Sequence, residues 1–302
     1  MDLLRLSQSV YCFAGPTNVG VIVGPRGDAV LVDSGLDAST GKKLARRVTE
    51  LGWRIAAVVN THGHADHAGG DAEIRRRTGC MVLAPRFEEA WIREPLMEPL
   101  ALFGGARPPA GLRNKFTMAE PCEVDGVIEP GLRDICGLSV RIEPLAGHSP
   151  NQVGVACEGV LFCGDAFFLP EQLSKHVVPY NVDIAAQLQS MERLLRSEWS
   201  VVVPGHGGVC PDPGAAVRVN AERVRQVADL VWECAAAGAT AEQVVQSAAS
   251  RLHLQIASEA HYYLFSSAVG AYLSYLESSG RLECDVVGPR LVWRAAEEAR
   301  CE

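Results

Sequence analysis

No Cys-x-x-Cys pair occurs in this sequence, although it holds 10 cysteines among 302 residues. A chain of this length builds its own core, so a disulfide framework is not required, and paired-cysteine metal sites are excluded. Cys80, Cys157 and Cys163 fall in apolar, strand-like runs, where cysteine acts as a small hydrophobe. A reducing compartment, the cytoplasm, is the expectation. No apolar run approaches the roughly 18 to 20 residues of a membrane span. The opening residues, numbers 1–7, lack a basic stretch followed by a long apolar one, so no secretory signal is expected. Positive charge is also scarce: 28 Lys and Arg stand against 36 Asp and Glu, a net charge of −8. That balance argues against a general polyanion binder. At 48% hydrophobic and 21% charged residues the chain is ordinary globular material, which excludes disorder, collagen and coiled coil. Its length suits one large or two smaller domains.

What is present is histidine in a pattern. Three of the eight fall within six residues, in Thr61-His62-Gly63-His64-Ala65-Asp66-His67. Ile55-Ala56-Ala57-Val58-Val59-Asn60 before them is a short, β-branched apolar run that reads as a buried strand, and residues 70–77 after them read as a helix. The cluster therefore sits on the loop leaving the C-terminal end of a strand, where α/β sheets place ligands. His62 and His64 are two apart, so in an extended loop they point the same way and can share one metal. Asp66 and His67 lie where the chain turns into the helix and face elsewhere, which suits a second ion. Three later strands end in the same fashion. Residues 139–145 lead into Gly147-His148, 160–163 into Gly164-Asp165, and 201–204 into Gly205-His206. At each, a glycine lets the backbone come close before a His or Asp follows.

The order of Asp33 in Leu31-Val32-Asp33-Ser34-Gly35, then His62-x-His64-x-Asp66-His67, His148, Asp165 and His206 resembles the metallo-β-lactamase superfamily. The motifs run across about residues 30 to 207. The resemblance implies an α/β fold of the αββα sandwich type, two mixed sheets flanked by helices, with the metal site at one edge. It implies that His62, His64 and His148 hold a first metal, that Asp66, His67 and His206 hold a second, and that Asp165 bridges both. It also implies that Asp33 organises the metal loops by hydrogen bonds; from sequence alone Asp33 reads equally as a turn or helix-cap acid. True β-lactamases of the superfamily generally lack the bridging aspartate. Glyoxalase II-like thioesterases, lactonases and tRNA-processing nucleases carry it. Two divalent ions, zinc or else iron or manganese, suit this His-rich set with carboxylates, and the lack of cysteine ligands leaves open positions for chemistry.

The expected activity is hydrolysis of a small thioester, lactone or ester by a hydroxide bridging the two metals, its pKa lowered towards about 7. Asp66 would orient the nucleophile or carry a proton to the leaving group. Tyr180 and His176, between the bridging Asp and the last ligand, are candidate substrate-binding residues. Tyr180 reads equally as a packed side chain after Pro179. His253 and His261 fall in helix-like stretches with structural or surface roles. The segment 86–120, with Trp91, Met97, Leu100, Phe103 and Met118 among several Pro and Gly, reads either as a lid or apolar wall over the metal site or as an interface or packing segment, and a homodimer accommodates both.

Texture changes after residue 213, dividing the chain into a catalytic region 1–213 and a helical region 214–302. Helical patterns over 215–237, from Thr240 onward and over 262–278 precede a hairpin near 282–293, which loosely resembles a winged-helix tail. That tail carries eight arginines, no lysine and eleven acids, so nucleic acid is not an expected partner and a packing or dimerisation role is favoured. The remaining alternatives are a metal-dependent ribonuclease and a mononuclear iron persulfide dioxygenase. The acidic tail argues against the first, and the complete second ligand set argues against the second.

Overall fold

Alternation along single strands decides which side of each sheet faces which core. The computed structural model describes residues 2–297 apart from His176 and Pro211. One sheet sets β1 (Asp2–Arg5), β2 (Val10–Ala14), β3 (Val19–Val23), β4 (Asp28–Val32), β5 (Arg54–Val59), β6 (Met81–Pro85) and β7 (Gly126–Ile128) side by side in chain order. Its first four strands are antiparallel and β4 to β7 are parallel. The second sheet holds β8 (Gly131–Ile135), β9 (Leu138–Pro144), β10 (Val153–Cys157), β11 (Val160–Phe162) and β12 (Val201–Val203) in the order β12-β11-β10-β9-β8. Only β11 and β12 pair in parallel there.

In β4, Val30 and Val32 point between the sheets and meet Ile142, Val155 and Phe162, while Ala29 and Leu31 point to the other side. The outer face is covered by α1 (Ala38–Glu50) through Leu44, Ala45 and Val48, with Ile74 of α3 (Asp71–Thr78) beside them. The period of two in the strand and of three to four in the helix thus dictate a helix-on-sheet layer. α1 starts where Asp37 accepts a hydrogen bond from the Thr40 N–H. A single turn, α2 (Ala65–Ala68), precedes α3 in the β5–β6 connection. The β6–β7 connection contains α4 (Glu88–Arg93), α5 (Met97–Leu102) and a 3-10 turn at Ala110–Leu112.

The outer face of the second sheet is covered by α7 (Ile184–Arg196), which follows the short α6 (Pro170–Lys175), and by the C-terminal helices α8 (Pro213–Ala235), α9 (Ala241–Arg251) and α10 (Glu259–Ser278). The hairpin of β13 (Leu282–Val287) and β14 (Arg290–Ala295) closes the chain. Three helices and a hairpin follow residue 213, as the sequence pattern indicates, and the two flanked sheets form the αββα sandwich. Thr240 and Gln243 form a reciprocal capping box at the start of α9. Leu145, Leu161, Phe167, Ile184 and Met191 share one apolar cluster with Val217, Val224, Phe265 and Tyr272.

The segment 86–120 is packed against the rest of the chain. The Phe103 ring meets Tyr263 of α10 edge-on at 5.2 Å, so it packs on the C-terminal helices. His253 departs from its helical reading. It follows the end of α9 in the left-handed region, at φ 53°. His261 lies in the first turn of α10 as expected. Every described cysteine is a free thiol. No helix among the described residues is long and apolar enough to cross a membrane.

Candidate metal centre

Five strand ends converge at one edge of the sandwich. β4 delivers Asp33, β5 delivers Asn60, Thr61 and His62, and β9, β11 and β12 deliver His148, Asp165 and His206. His62, His64 and His148 present ring nitrogens within 4.8 Å of one another, and so do the candidate ligand atoms of Asp66, His67 and His206. Asp165 lies between these triads. Its Oδ1 is 3.4 Å from His67 Nε2, and its Oδ2 is 3.7 Å from His148 Nε2 and 3.4 Å from His206 Nε2. His206 Nε2 is also 3.2 Å from Asp66 Oδ2. All seven candidate ligands named from the sequence are therefore brought together.

Three of the rings, those of His67, His148 and His206, are aimed by a contact on their far side. Asp33, at φ 63°, accepts from the Thr61 N–H at 2.7 Å and the Thr61 hydroxyl at 2.9 Å, and its Oδ2 lies 2.8 Å from His67 Nδ1. It thus orients one ring and fixes the turn that carries His62. His148 Nδ1 meets the Tyr180 carbonyl at 2.9 Å and His206 Nδ1 the Pro16 carbonyl at 2.6 Å. Committing Nδ1 of His67, His148 and His206 to outer acceptors leaves Nε2 of each facing the interior. Glycine at 205 is a steric requirement, since a side chain there would run into Asp165 Oδ1 and the His67 ring.

Three supporting residues carry no sequence signal. Glu88, buried in α4, accepts from the Gly63 N–H at 2.9 Å through one oxygen and from the Ser149 hydroxyl and the Asn151 N–H, both at 2.8 Å, through the other. It ties the loop of His62 and His64 to the loop of His148. Asn18 donates to the Pro204 and Gly207 carbonyls, each at 2.9 Å, and clamps the loop of His206. Gln152 accepts from the Asp165 N–H at 3.0 Å. Their partners are distant in sequence, and no spacing rule connects them.

The electrostatics divide the histidines. Burial holds His62, His64 and His148 below the usual imidazole range, His64 at about 3, so these rings are neutral donors. Burial opposes charge on His67 and His206 too. There it is outweighed by Asp33, Asp66 and Asp165 around His67, which reaches about 10, and by Asp165 and Asp66 around His206, which reaches about 11. His62 Nε2, His67 Nε2 and Asp165 Oδ1 are buried without any hydrogen-bond partner. Orphaned polar atoms inside a protein are costly. Three of them within 4.8 Å of one another, on two imidazoles and a carboxylate, fit a cation.

The cluster floors a cavity of about 500 Å³ lined by His64, Asp66, His148, Asp165 and His206, with Phe116, Phe168, Tyr180 and Leu264 among the walls. Phe116 comes from the 86–120 segment and Leu264 from α10, so that segment and the C-terminal region both build the cavity. Tyr180 lines it while its hydroxyl bonds the Ser267 side chain of α10. His176, the other candidate substrate-binding residue, lies outside the described residues.

Comparison with known proteins places this geometry. A hydroxyacylglutathione hydrolase from Anaeromyxobacter dehalogenans is 30% identical over 154 residues, 51% of this chain and 48% of that protein. The chain thus matches about half the length of such curated relatives. A metallo-beta-lactamase family protein from Thermus thermophilus superposes with a TM-score of 0.72 at 20% identity, covering 95% of this chain and 98% of that one. A beta-lactamase domain protein from Burkholderia ambifaria gives 0.72 at 19%, covering 98% and 94%. These two share the fold along nearly the whole chain, helical tail included. The model of the metallo-beta-lactamase superfamily matches residues 12–206, from β2 to the histidine after β12 and so across every strand end that feeds the cluster, and this chain belongs to that superfamily.

Proposed function

We propose that the chain is a metal-dependent hydrolase that takes two divalent ions, zinc by the chemistry of its donors, and cleaves a small thioester, ester or lactone. The observation that carries this reading is the convergence of seven His and Asp side chains, with three orphaned buried atoms, on the floor of a cavity sized for a small molecule. His62, His64 and His148 would hold one ion and Asp66, His67 and His206 the other, with Asp165 between them. The curated relatives named hydroxyacylglutathione hydrolase favour a thioester within that class.

Bound metals supply Lewis-acid polarisation of a carbonyl and activation of water near neutral pH. The chain supplies the rest. Asp66 is one-third exposed and faces the cavity, so its carboxylate can receive a proton and pass it to a leaving group. With no metal bound, burial raises the Asp66 carboxyl, but His67 and His206 outweigh that effect and hold it at about 2. Phe168 and Leu264 in the walls, with Phe116, which is 63% exposed, offer apolar surface that would orient the apolar part of a substrate.

Elemental analysis of protein purified without chelator should find two transition-metal ions per chain. Asp165→Ala should lower that count and cut turnover on the best substrate by orders of magnitude. A panel of thioesters, lactones, β-lactams and RNA identifies the class. A count that stays at one after reconstitution with zinc or iron, or activity confined to RNA, would overturn the reading.

A further inference from the structure

One acidic side chain in the cavity belongs neither to the metal cluster nor to its supports. Glu98, in the first turn of α5, is only 8% exposed and lines the cavity beside Asp66, His64 and Tyr180. Among the described residues nothing donates a hydrogen bond to it and no cation pairs with it, and the charged groups that act on it are carboxylates, Asp66 and Glu88. Glu88, the other buried acid of this segment, has three donors from the protein. An ionised carboxyl this buried without a partner is costly, so Glu98 keeps its proton unless something from outside the chain pairs with its charge. Phe116, Phe168 and Leu264 in the walls are apolar, and the polar wall residues Gln172, Lys175 and Tyr180 make no hydrogen bond or ion pair with Glu98.

We propose that Glu98 is a specificity-determining residue that receives a positively charged group of the substrate, a protonated amine or quaternary ammonium set near the scissile bond. The inference rests on the hydrolase reading above and adds the class of substrate to it. An arriving ammonium supplies the charge that lets the Glu98 carboxyl ionise in its buried place, where burial first and then Asp66 and Glu88 hold it well above the usual carboxylate range; a neutral hydroxyl supplies no such charge. A buried acidic partner discriminates strongly against an isostere that leaves it uncompensated. Lys175 also lines the cavity without forming an ion pair with Glu98, so the chain's own cation does not fill the place.

Two pairs of thioesters test this, each differing in one group. The acyl-side pair is 3-aminopropionyl- and butyryl-N-acetylcysteamine, and the thiol-side pair is butyrylthiocholine and butyryl 3,3-dimethylbutanethiol. A 3-hydroxypropionyl thioester serves as the neutral donor. In the metal-loaded enzyme the cationic member of one pair should have a kcat/KM at least tenfold higher, which also shows on which side of the bond Glu98 acts. Glu98→Gln and Glu98→Leu should each abolish that preference with metal content unchanged. Calorimetric binding of the matching thioethers, which cannot be hydrolysed, gives a readout independent of turnover. If no thioester is cleaved but the cationic thioether binds tighter and loses that advantage in Glu98→Leu, Glu98 keeps its role and the hydrolase reading fails. The proposal is overturned by a hydroxyl preference equal to the ammonium preference, by no preference in either pair, or by a preference that survives in Glu98→Leu.

Discussion

At the scale of single residues the centre is held by groups that never touch a substrate. Glu88 uses both carboxylate oxygens, and an amide can replace only one of them as an acceptor. Glu88→Gln should therefore keep the fold by circular dichroism yet release the tie between the loop of His62 and His64 and that of His148. Metal retention against a competing chelator should fall by roughly 10- to 100-fold, the usual scale for an outer-shell partner; unchanged retention would make Glu88 a packing residue only. Asp71 makes a different case. Burial raises its carboxyl to about 7, against which Ser34 and Asn60 act only in part. Because the folded chain then binds this proton more tightly than the unfolded one, stability falls as pH rises from 3.8 to about 7 and is level above. Asp71→Asn removes that slope. Urea unfolding should show the variant gaining on the parent between pH 5 and pH 8, and equal differences at the two pH values would contradict the assignment. The contrast with the ligands is instructive about sequence. His148, Asp165 and His206 are legible because each follows an apolar run and a glycine. Glu88, Asn18 and Glu98 are ordinary polar residues whose meaning comes from partners or a cavity far along the chain. Asn18 and Gly207, for example, are 189 positions apart.

At the scale of elements, strands and long helices follow from periodicity, while the pieces between them do not. The β5 strand, α3 and the three C-terminal helices fall within a few residues of their sequence patterns. The single turn α2 and the α4–α5 pair are too short for a period to show, and the Pro and Gly of residues 86–120 mask the latter. Close approach is equally silent in a pattern. Gly41 of α1 faces the junction of α2 and α3, where an added Cβ would lie 2.5 Å from the Gly70 carbonyl oxygen. Gly270 of α10 faces open space. The same substitution should thus have opposite signs. Gly41→Ala should cost about 1 to 3 kcal/mol by overpacking. Gly270→Ala should gain up to about 1 kcal/mol from helix propensity. Denaturant midpoints measure both, and a Gly41→Ala protein as stable as the parent would mean that α1 is not seated against the turn that carries His67.

At the scale of the whole molecule, the change of texture at residue 213 and the packing give different pictures of the chain. Sequence divides strands from helices there because periodicity is a local property. Packing does not follow that line: Leu145, Leu161, Phe167, Ile184 and Met191 from before it lie in one cluster with Val217, Val224, Val231, Phe265 and Tyr272 from after it. Removing residues 213–302 would bare the outer face of the second sheet and of α7, and with it the side of the sandwich that positions Asp165. Each large apolar side chain so exposed loses about 1.5 to 3 kcal/mol of burial, and several together exceed the 5 to 15 kcal/mol that a domain typically has in hand. The full chain should accordingly melt in one calorimetric transition, at which secondary structure and near-ultraviolet signal are lost together. Residues 1–212 alone should fail to give a dispersed amide spectrum and should bind an apolar dye. Two resolved transitions in the full chain, or a shortened chain that keeps native dispersion and its metal, would show instead that the helices are an independent attachment. In that case the wall contributed by Leu264 and the bond from Tyr180 to Ser267 would be contacts between separately folded parts, and their loss should change substrate binding without changing metal content.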